Sequence, residues 1–226
     1  MYLAFDVYGT LIDTAGVTDE LYSWVGECAS EFSRCWRDKQ LEYSFRRGLM
    51  QFYCDFSVCT RQALDYTCEL FNISLSREQG ERLMALYKHL PAFPDAVSGL
   101  KKLKELPLRI FAFSNGRPDD LDSLLRGAGI LHYFEGVVSL LEAHTFKPNP
   151  AAYTYFHRSA QTGGAETWLI SSNPFDVIGA LSSGMKSTWI KRSLKAVFDP
   201  WGIQPTTIVS SLDELADFWQ RNLISV

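Results

Sequence analysis

The sequence predicts a doubly wound parallel α/β sheet that carries an inserted helical subdomain. From about residue 93 onward, apolar strand-like runs alternate with helical patterns. That order produces a parallel sheet with helices on both faces. Between residues 14 and 92 the patterns are helical, and no convincing strand occurs. The 226 residues are enough for one such core and a small insert.

The first strand begins at Tyr2 and is followed by Asp6 and by a turn at Gly9. In an open α/β sheet, ligands bind just beyond the carboxyl ends of the strands. A carboxylate at this position can serve as a nucleophile, a base or a metal ligand. The alternative is that Asp6 only caps a turn.

The helical segment is predicted to contain four helices. The first begins near Thr18, and the others cover about residues 35–56, 60–71 and 76–90. One face of the second helix is apolar with a cation at its start, and it comprises Arg37, Leu41, Phe45, Phe52 and Phe56. The two prolines of Leu90–Asp95 end the segment. We therefore predict a core of residues 1–13 and 93–226 and a helical cap of residues 14–92.

The core pattern places polar groups at three strand ends. Later strands are predicted at residues 109–113, 136–140, 167–170, 187–190 and 206–209, with helices at 96–106, 118–128, 149–160, 176–183 and 211–223. The polar groups are Asp6, Ser114–Asn115 and Ser171–Asn173. Because parallel neighbouring strands end at one edge of the sheet, we expect these groups to lie together. Taken singly, each could be a turn or a helix cap.

Several stretches resemble motifs of the haloacid dehalogenase superfamily. Asp6-Val7-Tyr8-Gly9-Thr10-Leu11 is similar to its first motif, residues 114–115 to its second, residues 145–150 to its third, and residues 171–176 to its fourth. Most members are phosphatases, which have an aspartate at the position of Tyr8 and two acids in the fourth motif. In this chain the fourth motif has one acid, Asp176. Losing carboxylates weakens a Mg²⁺ site. Residues 36–43, Trp-Arg-Asp-Lys-Gln-Leu-Glu-Tyr, resemble the cap motif of the L-2-haloacid dehalogenase branch.

This resemblance covers nearly the whole chain and implies a metal-independent hydrolysis without cofactors. Short (S)-2-haloalkanoic acids would become (R)-2-hydroxyalkanoic acids, through an ester formed on Asp6 with inversion at C2. Lys147 would keep Asp6 ionised and stabilise transition-state charge. The implied catalytic residues are Asp6, Lys147, Thr10, Ser171, Asn173, Asp176 and Tyr153. The implied substrate-binding residues are Val7, Tyr8, Arg37, Leu41, Phe56, Ser114, Asn115 and Phe175.

The resemblance also assigns roles within this set. Backbone N–H groups near Val7–Tyr8 and Ser114–Asn115 would hold the substrate carboxylate, and Arg37 with Asn115 would receive the halide. Leu41, Phe56 and Phe175 would form apolar walls, and Asp176 would orient either Lys147 or a water. Taken without the resemblance, Lys147 and Arg37 could be surface charges, Tyr153 a core aromatic and Asp176 a helix-start carboxylate. Asp38 stands where relatives often have glutamine.

Two other functions stay open: a Mg²⁺-dependent phosphatase or phosphonatase, and a non-enzymatic binding protein on the same scaffold.

The net charge of −4 disfavours non-specific nucleic-acid binding. No apolar run approaches the roughly 20 residues of a membrane helix. The N-terminal residues lack a basic region followed by an apolar stretch and a cleavage site, so a secretory signal is not expected. Five cysteines without a CxxC pair predict free thiols in the cytoplasm. The four histidines fall outside the motifs, so a histidine-based triad is not expected. The resemblance further implies a homodimer.

Overall fold

A computed structural model describes residues 1–224, and a six-stranded sheet lies at its centre. The strands are β1 (Tyr2–Phe5), β2 (Arg109–Ser114), β3 (Gly136–Ser139), β4 (Thr167–Ser171), β5 (Lys186–Ile190) and β6 (Thr207–Val209). Their order is β3-β2-β1-β4-β5-β6, and every neighbouring pair is parallel. The predicted fold class is confirmed.

Nine α-helices accompany the strands within residues 1–224. They are α1 (Gly16–Val25), α2 (Ala29–Leu49), α3 (Phe56–Leu70), α4 (Arg77–Leu86), α5 (Ala96–Lys104), α6 (Pro118–Gly127), α7 (Pro150–Ala160), α8 (Pro174–Ser182) and α9 (Leu212–Ile224). Three core helices begin with proline, whose fixed φ suits the first helical turn. Helix α4 begins with a capping box between Ser76 and Gln79.

Strand β1 occupies the centre of the sheet. Phe5 lies opposite Ala112 of β2 on one side and Ile170 of β4 on the other. Leu3 and Phe5 pack into the apolar cluster on one face, and Ala4 packs into the cluster on the other. Burial on both faces explains why the strand is a continuous apolar run. Asp6, the next residue, therefore emerges at the middle of the sheet's carboxyl edge.

The chain leaves the core and returns to it at one place. Ile12 and Ala92 form an antiparallel bridge, and the N–H of Asp13 donates to the carbonyl of Pro91 at 2.8 Å. We call the segment between Ile12 and Ala92 the helical insert. The division into a core of residues 1–13 and 93–226 and a cap of residues 14–92 stays a prediction.

The predicted helix over residues 35–56 is confirmed up to Leu49 and is wrong beyond that residue. Helix α2 ends at Leu49, and the next turn places Gln51 at a φ of 54°, which lies in the left-handed region. Phe52 is 65% exposed, so it does not share the apolar face. Phe56 instead begins α3. The sequence has no proline at this break. The apolar spacing therefore predicted one helix that continues past Leu49.

Helix α2 uses two faces for two different contacts. Its fully buried residues recur every fourth position and pack within the insert: Phe32, Trp36, Gln40 and Ser44. The Trp36 indole donates to the Thr60 carbonyl on α3 at 2.9 Å. The neighbouring face, with Arg37, Leu41 and Phe45, is directed toward the core domain, where the Phe45 ring meets Phe175 at 4.9 Å. No helix within residues 1–224 is long and apolar enough to cross a membrane.

Candidate active site

Asp6 lies one residue beyond β1 and is 9% exposed. Its Oδ2 accepts hydrogen bonds from Asn173 Nδ2 at 2.7 Å, from Thr10 Oγ1 at 2.8 Å and from Ser171 Oγ at 3.3 Å. The tight loop after β1 brings Thr10 back over the carboxylate, and β4 pairs with β1 so that Ser171 and Asn173 end beside it. Three neutral donors thus converge on one oxygen of Asp6.

The other oxygen of Asp6 faces a buried cation. Lys147 Nζ lies 3.1 Å from Asp6 Oδ1, 2.9 Å from Asp176 Oδ2 and 2.8 Å from the carbonyl oxygen of Phe113. These three contacts use all three donors of the ammonium. Burial lowers the pKa of Lys147, but Asp176 and Asp6 outweigh that effect, so the pKa is raised overall. Lys147 therefore stays charged although its side chain is only 2% exposed.

Asp176 lies behind Lys147 and is fully buried. Its Oδ1 accepts from the Tyr153 hydroxyl at 2.8 Å, and its Oδ2 accepts from Lys147. Burial raises the pKa of Asp176 to about 6, while Lys147 opposes that rise. Burial and the neighbouring Asp176 raise the pKa of Tyr153 well above its usual value, so its hydroxyl stays a donor. Both oxygens of Asp176 are thus occupied in holding the lysine.

A small cavity of about 20 Å³ opens in front of Asp6. The ten residues that line it all belong to the predicted set: Asp6, Tyr8, Arg37, Leu41, Phe56, Ser114, Asn115, Lys147, Asn173 and Phe175. The other predicted residues do not line the cavity. Thr10, Ser171, Asp176 and Tyr153 lie behind it in the hydrogen-bond network, and Val7 is buried next to Asp6.

The helical insert supplies one cation and two apolar groups to this cavity. Arg37 and Leu41 come from α2, and Phe56 comes from the first turn of α3. Arg37 Nη1 donates to Gln40 Oε1 at 2.5 Å, and Gln40 Nε2 donates to Thr60 Oγ1 at 2.5 Å. Burial raises the pKa of the Tyr8 hydroxyl, which therefore presents a neutral group at the same wall.

Sequence reasoning missed two residues that support the site, Gln40 and Gly179. Gln40 is fully buried and orients Arg37, yet a glutamine inside a charged stretch gives no signal by itself. Gly179 leaves room for Tyr153, because a Cβ there would lie 2.7 Å from Pro148 Cβ and closer still to the tyrosine hydroxyl. Its position three residues after Asp176, on the same side of α8, was the signal that could have identified it.

The side chains around the cavity bear on metal binding, because a metal ion in a protein needs several ligands at one point. Within residues 1–224, no group of three or more His, Cys, Asp and Glu side chains is arranged to hold a metal ion. Asp6 lines the cavity, and Lys147 lies between it and Asp176. The donors and acceptors instead form a continuous hydrogen-bond network around the lysine.

Comparison with known proteins agrees with this arrangement. The family model of the haloacid dehalogenase-like hydrolases matches residues 1–184. The chain belongs to that family. It is 33% identical to (S)-2-haloacid dehalogenase 2 of Pseudomonas sp. (strain CBS-3), over 94% of this chain and 93% of that protein. It is also 33% identical to haloacetate dehalogenase H-2 of Moraxella sp. (strain B), over 94% and 95%.

A solved structure of an L-2-haloacid dehalogenase has the same fold as this chain. The L-2-haloacid dehalogenase of Xanthobacter autotrophicus, solved with chloropropionic acid covalently bound, superimposes with a TM-score of 0.91. The two chains are 29% identical, and the match covers 97% of this chain and 98% of that one. The predicted resemblance to the L-2-haloacid dehalogenases is confirmed.

Proposed function

We propose that this protein hydrolyses short (S)-2-haloalkanoic acids to (R)-2-hydroxyalkanoic acids and halide, through an ester on Asp6. The observation that carries the proposal is the unequal surrounding of the two Asp6 oxygens. Oδ2 accepts from three neutral donors, whereas Oδ1, within residues 1–224, accepts only from the Lys147 ammonium. Oδ1 is thus available to attack carbon, and Oδ2 has donors that can stabilise negative charge. The relatives named as (S)-2-haloacid dehalogenases support the same reaction.

In the first step, Oδ1 attacks C2 of the substrate from the side opposite the halogen. The new C–O bond forms as the carbon–halogen bond breaks, both electrons leave with the halide, and C2 is inverted. Arg37 and Asn115 line the cavity and receive the halide. Asn115 Oδ1 accepts from the Lys147 backbone N–H at 3.0 Å, which leaves its amide Nδ2 as the donor for the anion.

The substrate carboxylate needs donors of its own. Within residues 1–224, the hydrogen bonds of the loop after β1 use the N–H groups of residues 9–12 and leave those of Val7 and Tyr8 available to a ligand. Backbone N–H groups at a strand end are a common anion site. Held there, the acid would present C2 to Asp6, with its alkyl group against Leu41 and Phe56.

In the second step, water attacks the ester carbonyl carbon, Cγ of Asp6. Oδ2 is then the carbonyl oxygen, and negative charge develops on it in the tetrahedral intermediate. The three donors from Thr10, Ser171 and Asn173 already point at this atom, so they act as an oxyanion hole without rearrangement. Asp176 serves as a positioning residue for Lys147, because both of its oxygens are occupied.

The same hydrogen bonds support a reaction without a metal ion. Mg²⁺ takes several oxygen ligands in near-octahedral order. Asp176 has no free oxygen, Asp6 Oδ2 already accepts three hydrogen bonds, and Tyr8 stands where a second aspartate would add a ligand. We propose metal independence on this basis, in preference to a phosphatase.

The proposal also includes a homodimer in the cytoplasm. An exposed apolar run at the end of α2 supports self-association, since Leu49, Met50 and Phe52 are 87%, 63% and 65% exposed. Light scattering coupled to gel filtration would give the mass in solution. A monomer at micromolar concentration would contradict this part and leave the catalytic part intact.

Halide release from (S)- and (R)-2-chloropropionate, with and without EDTA, tests the reaction. We expect release from the (S) form alone, no effect of EDTA and (R)-lactate as product. Asp6→Asn should lose turnover by orders of magnitude, while Asp13→Asn, which alters an acid outside the cavity, should keep it. Magnesium-dependent phosphate release from a generic ester, with no halide release, would instead establish the phosphatase.

A single turnover in H₂¹⁸O tests the intermediate. Water attacks Cγ, so the first lactate should carry an unlabelled oxygen from Asp6, and the label should appear in the Asp6 carboxylate. Mass spectrometry of the product and of the peptide containing Asp6 would measure both. Label in the first lactate would mean that water attacks C2 directly.

A further inference from the structure

Two cysteine sulfurs lie in contact at the start of helix α3. Cys54 Sγ and Cys59 Sγ are 3.7 Å apart, and all five cysteines of the chain are free thiols. The other three have different neighbours: the Cys28 thiol donates to the Val25 carbonyl, and Cys35 accepts from the Thr67 hydroxyl. Cys68 lies near the far end of the same helix.

The helix start explains why these two sulfurs meet. Asp55 is the N-cap of α3, so Cys54 is the residue before the cap and Cys59 is the fourth helical residue. Apolar residues at these two positions commonly pack together as a hydrophobic staple, which fixes the angle at which the chain enters the helix. Cys59 is fully buried in a cluster with Phe56 and Phe146. In this protein the staple consists of two thiols.

This helix start forms part of the active-site wall. Phe56, which lies between the two cysteines, lines the cavity in front of Asp6. Its ring lies 6.1 Å from that of Phe146, the residue before Lys147. Asp55 forms an ion pair with Arg117 of the core. A change in the staple would therefore be transmitted to the pocket.

We propose that Cys54 and Cys59 are a redox-active pair whose reversible disulfide changes substrate binding through Phe56. The oxidant is a hydroperoxide such as hydrogen peroxide. One thiol is first oxidised to a sulfenic acid as the O–O bond breaks and one water is released. The second thiol then attacks that sulfur, the S–S bond forms, and the hydroxyl leaves as a second water. Two electrons and two protons pass from the thiols to the peroxide.

The surroundings of the two sulfurs set the order of these steps. Cys54 is partly exposed and is the thiol that a peroxide can reach. Burial raises the pKa of Cys59 to about 12, and the neighbouring Cys54 adds to the rise, so Cys59 stays a protonated thiol in water. Its sulfur lies 3.7 Å from Cys54 Sγ, so a sulfenic acid formed on Cys54 is already in contact with the second thiol. The Cys59 proton leaves with the departing hydroxyl as water, and the disulfide is favoured over further oxidation.

The geometric consequence follows from the change in sulfur separation. The two sulfurs must approach from 3.7 Å to about 2.05 Å, and the backbone on either side of Phe56 must adjust. Phe56 lines the cavity, so a displacement of its ring changes the wall against which the alkyl group of the substrate would pack. Asp6 and Lys147 are held by the sheet and by each other, so the chemical steps should change less than substrate binding.

The thiol chemistry is tested without any substrate. Reduced protein is treated with hydrogen peroxide, remaining thiols are alkylated, and intact mass and peptide mapping follow. We expect three alkylated cysteines, a Cys54–Cys59 linked peptide and a monomeric band on a non-reducing gel. Cys54→Ser and Cys59→Ala should abolish the link, and Cys68→Ser should retain it. Five alkylated thiols, a sulfinic acid at Cys54 or a disulfide between two chains would overturn the proposal.

The effect on binding rests on the proposed function and is measured separately. We expect the KM for (S)-2-chloropropionate to rise at least threefold in the oxidised protein, with a smaller change in kcat, and dithiothreitol to reverse both. The Cys54→Ser variant should show no such response to peroxide. An unchanged KM in protein with a proven disulfide would refute the link to Phe56. If reduced protein had no dehalogenase activity, the proposed function would fail while the thiol result stood.

Discussion

Asn173→Ala separates the two proposed chemical steps. Asn173 Nδ2 makes the shortest of the three hydrogen bonds to Asp6 Oδ2, at 2.7 Å, and none to Oδ1. The displacement of halide uses Oδ1, whereas the hydrolysis of the ester places charge on Oδ2. Asn173 makes no side-chain cap for α8, so its removal costs little stability. The substitution should therefore slow the second step much more than the first.

The size of the effect follows from the donors that remain. Removing one oxyanion-hole donor typically lowers kcat by about 10²–10³, or about 2.7–4 kcal/mol. Thr10 still donates to Oδ2 at 2.8 Å and Ser171 at 3.3 Å. We therefore expect the lower end, a loss of about 100-fold in kcat, equivalent to about 2.7 kcal/mol.

Rapid-quench measurement of halide release would detect this directly. The variant should release about one halide per active site in a burst and then turn over slowly, and the ester should be visible as added mass on the Asp6 peptide. Asn222→Ala, an exposed asparagine on α9, serves as the matched control and should behave as the unaltered protein. A slow first turnover without a burst would refute the division of labour between the two oxygens.

The remaining predictions concern the groups behind Lys147. Tyr153→Phe removes a hydrogen bond that lowers the pKa of Asp176, so that pKa should rise above about 6. Because protonated Asp176 no longer attracts Lys147, kcat should fall as the pH drops through the pKa of Asp176, and in Tyr153→Phe this fall should begin at a higher pH. The control Tyr155→Phe, on the same helix, should leave the acid limb of the pH profile in place. An unmoved acid limb in Tyr153→Phe would contradict the assignment. Gly179→Ala forces a methyl group against Tyr153 and should cost about 1–3 kcal/mol in urea unfolding as well as lowering kcat. Gly127→Ala, with no atom near its Cβ position, should be neutral or stabilising by about 0.5 kcal/mol, and equal effects at the two glycines would exclude the steric explanation.

The sheet and the position of the site were predictable because their signals are local. A continuous apolar run ending in a polar residue indicates a buried parallel strand, and parallel strands end at one edge. These two rules suffice to bring Asp6, Ser114 and Ser171 together, and the structure places them at the ends of the adjacent strands β1, β2 and β4. Nothing beyond strand recognition was needed.

Other features depend on contacts that periodicity does not encode. At the break between α2 and α3 the backbone of Gln51 is in the left-handed region. Glutamine rarely adopts that conformation, so the residue type does not predict it. The sequence left two roles for Asp176, and only the positions of Lys147 and Tyr153 favour one of them. The unequal hydrogen bonding of the two Asp6 oxygens likewise depends on which donors the folded loops bring to each oxygen.

The central place of β1 has a consequence for synthesis of the chain. It is made first, but its partner in β2 begins at Arg109 and its partner in β4 ends at Ser171. At about 5–20 residues per second, some 8–30 seconds pass before both neighbours exist. During that interval the helical insert can fold on the nascent chain, while β1 has at most one of its two neighbouring strands. The nucleophile Asp6 thus leaves the ribosome long before Lys147, Ser171 and Asn173, which surround it in the folded site.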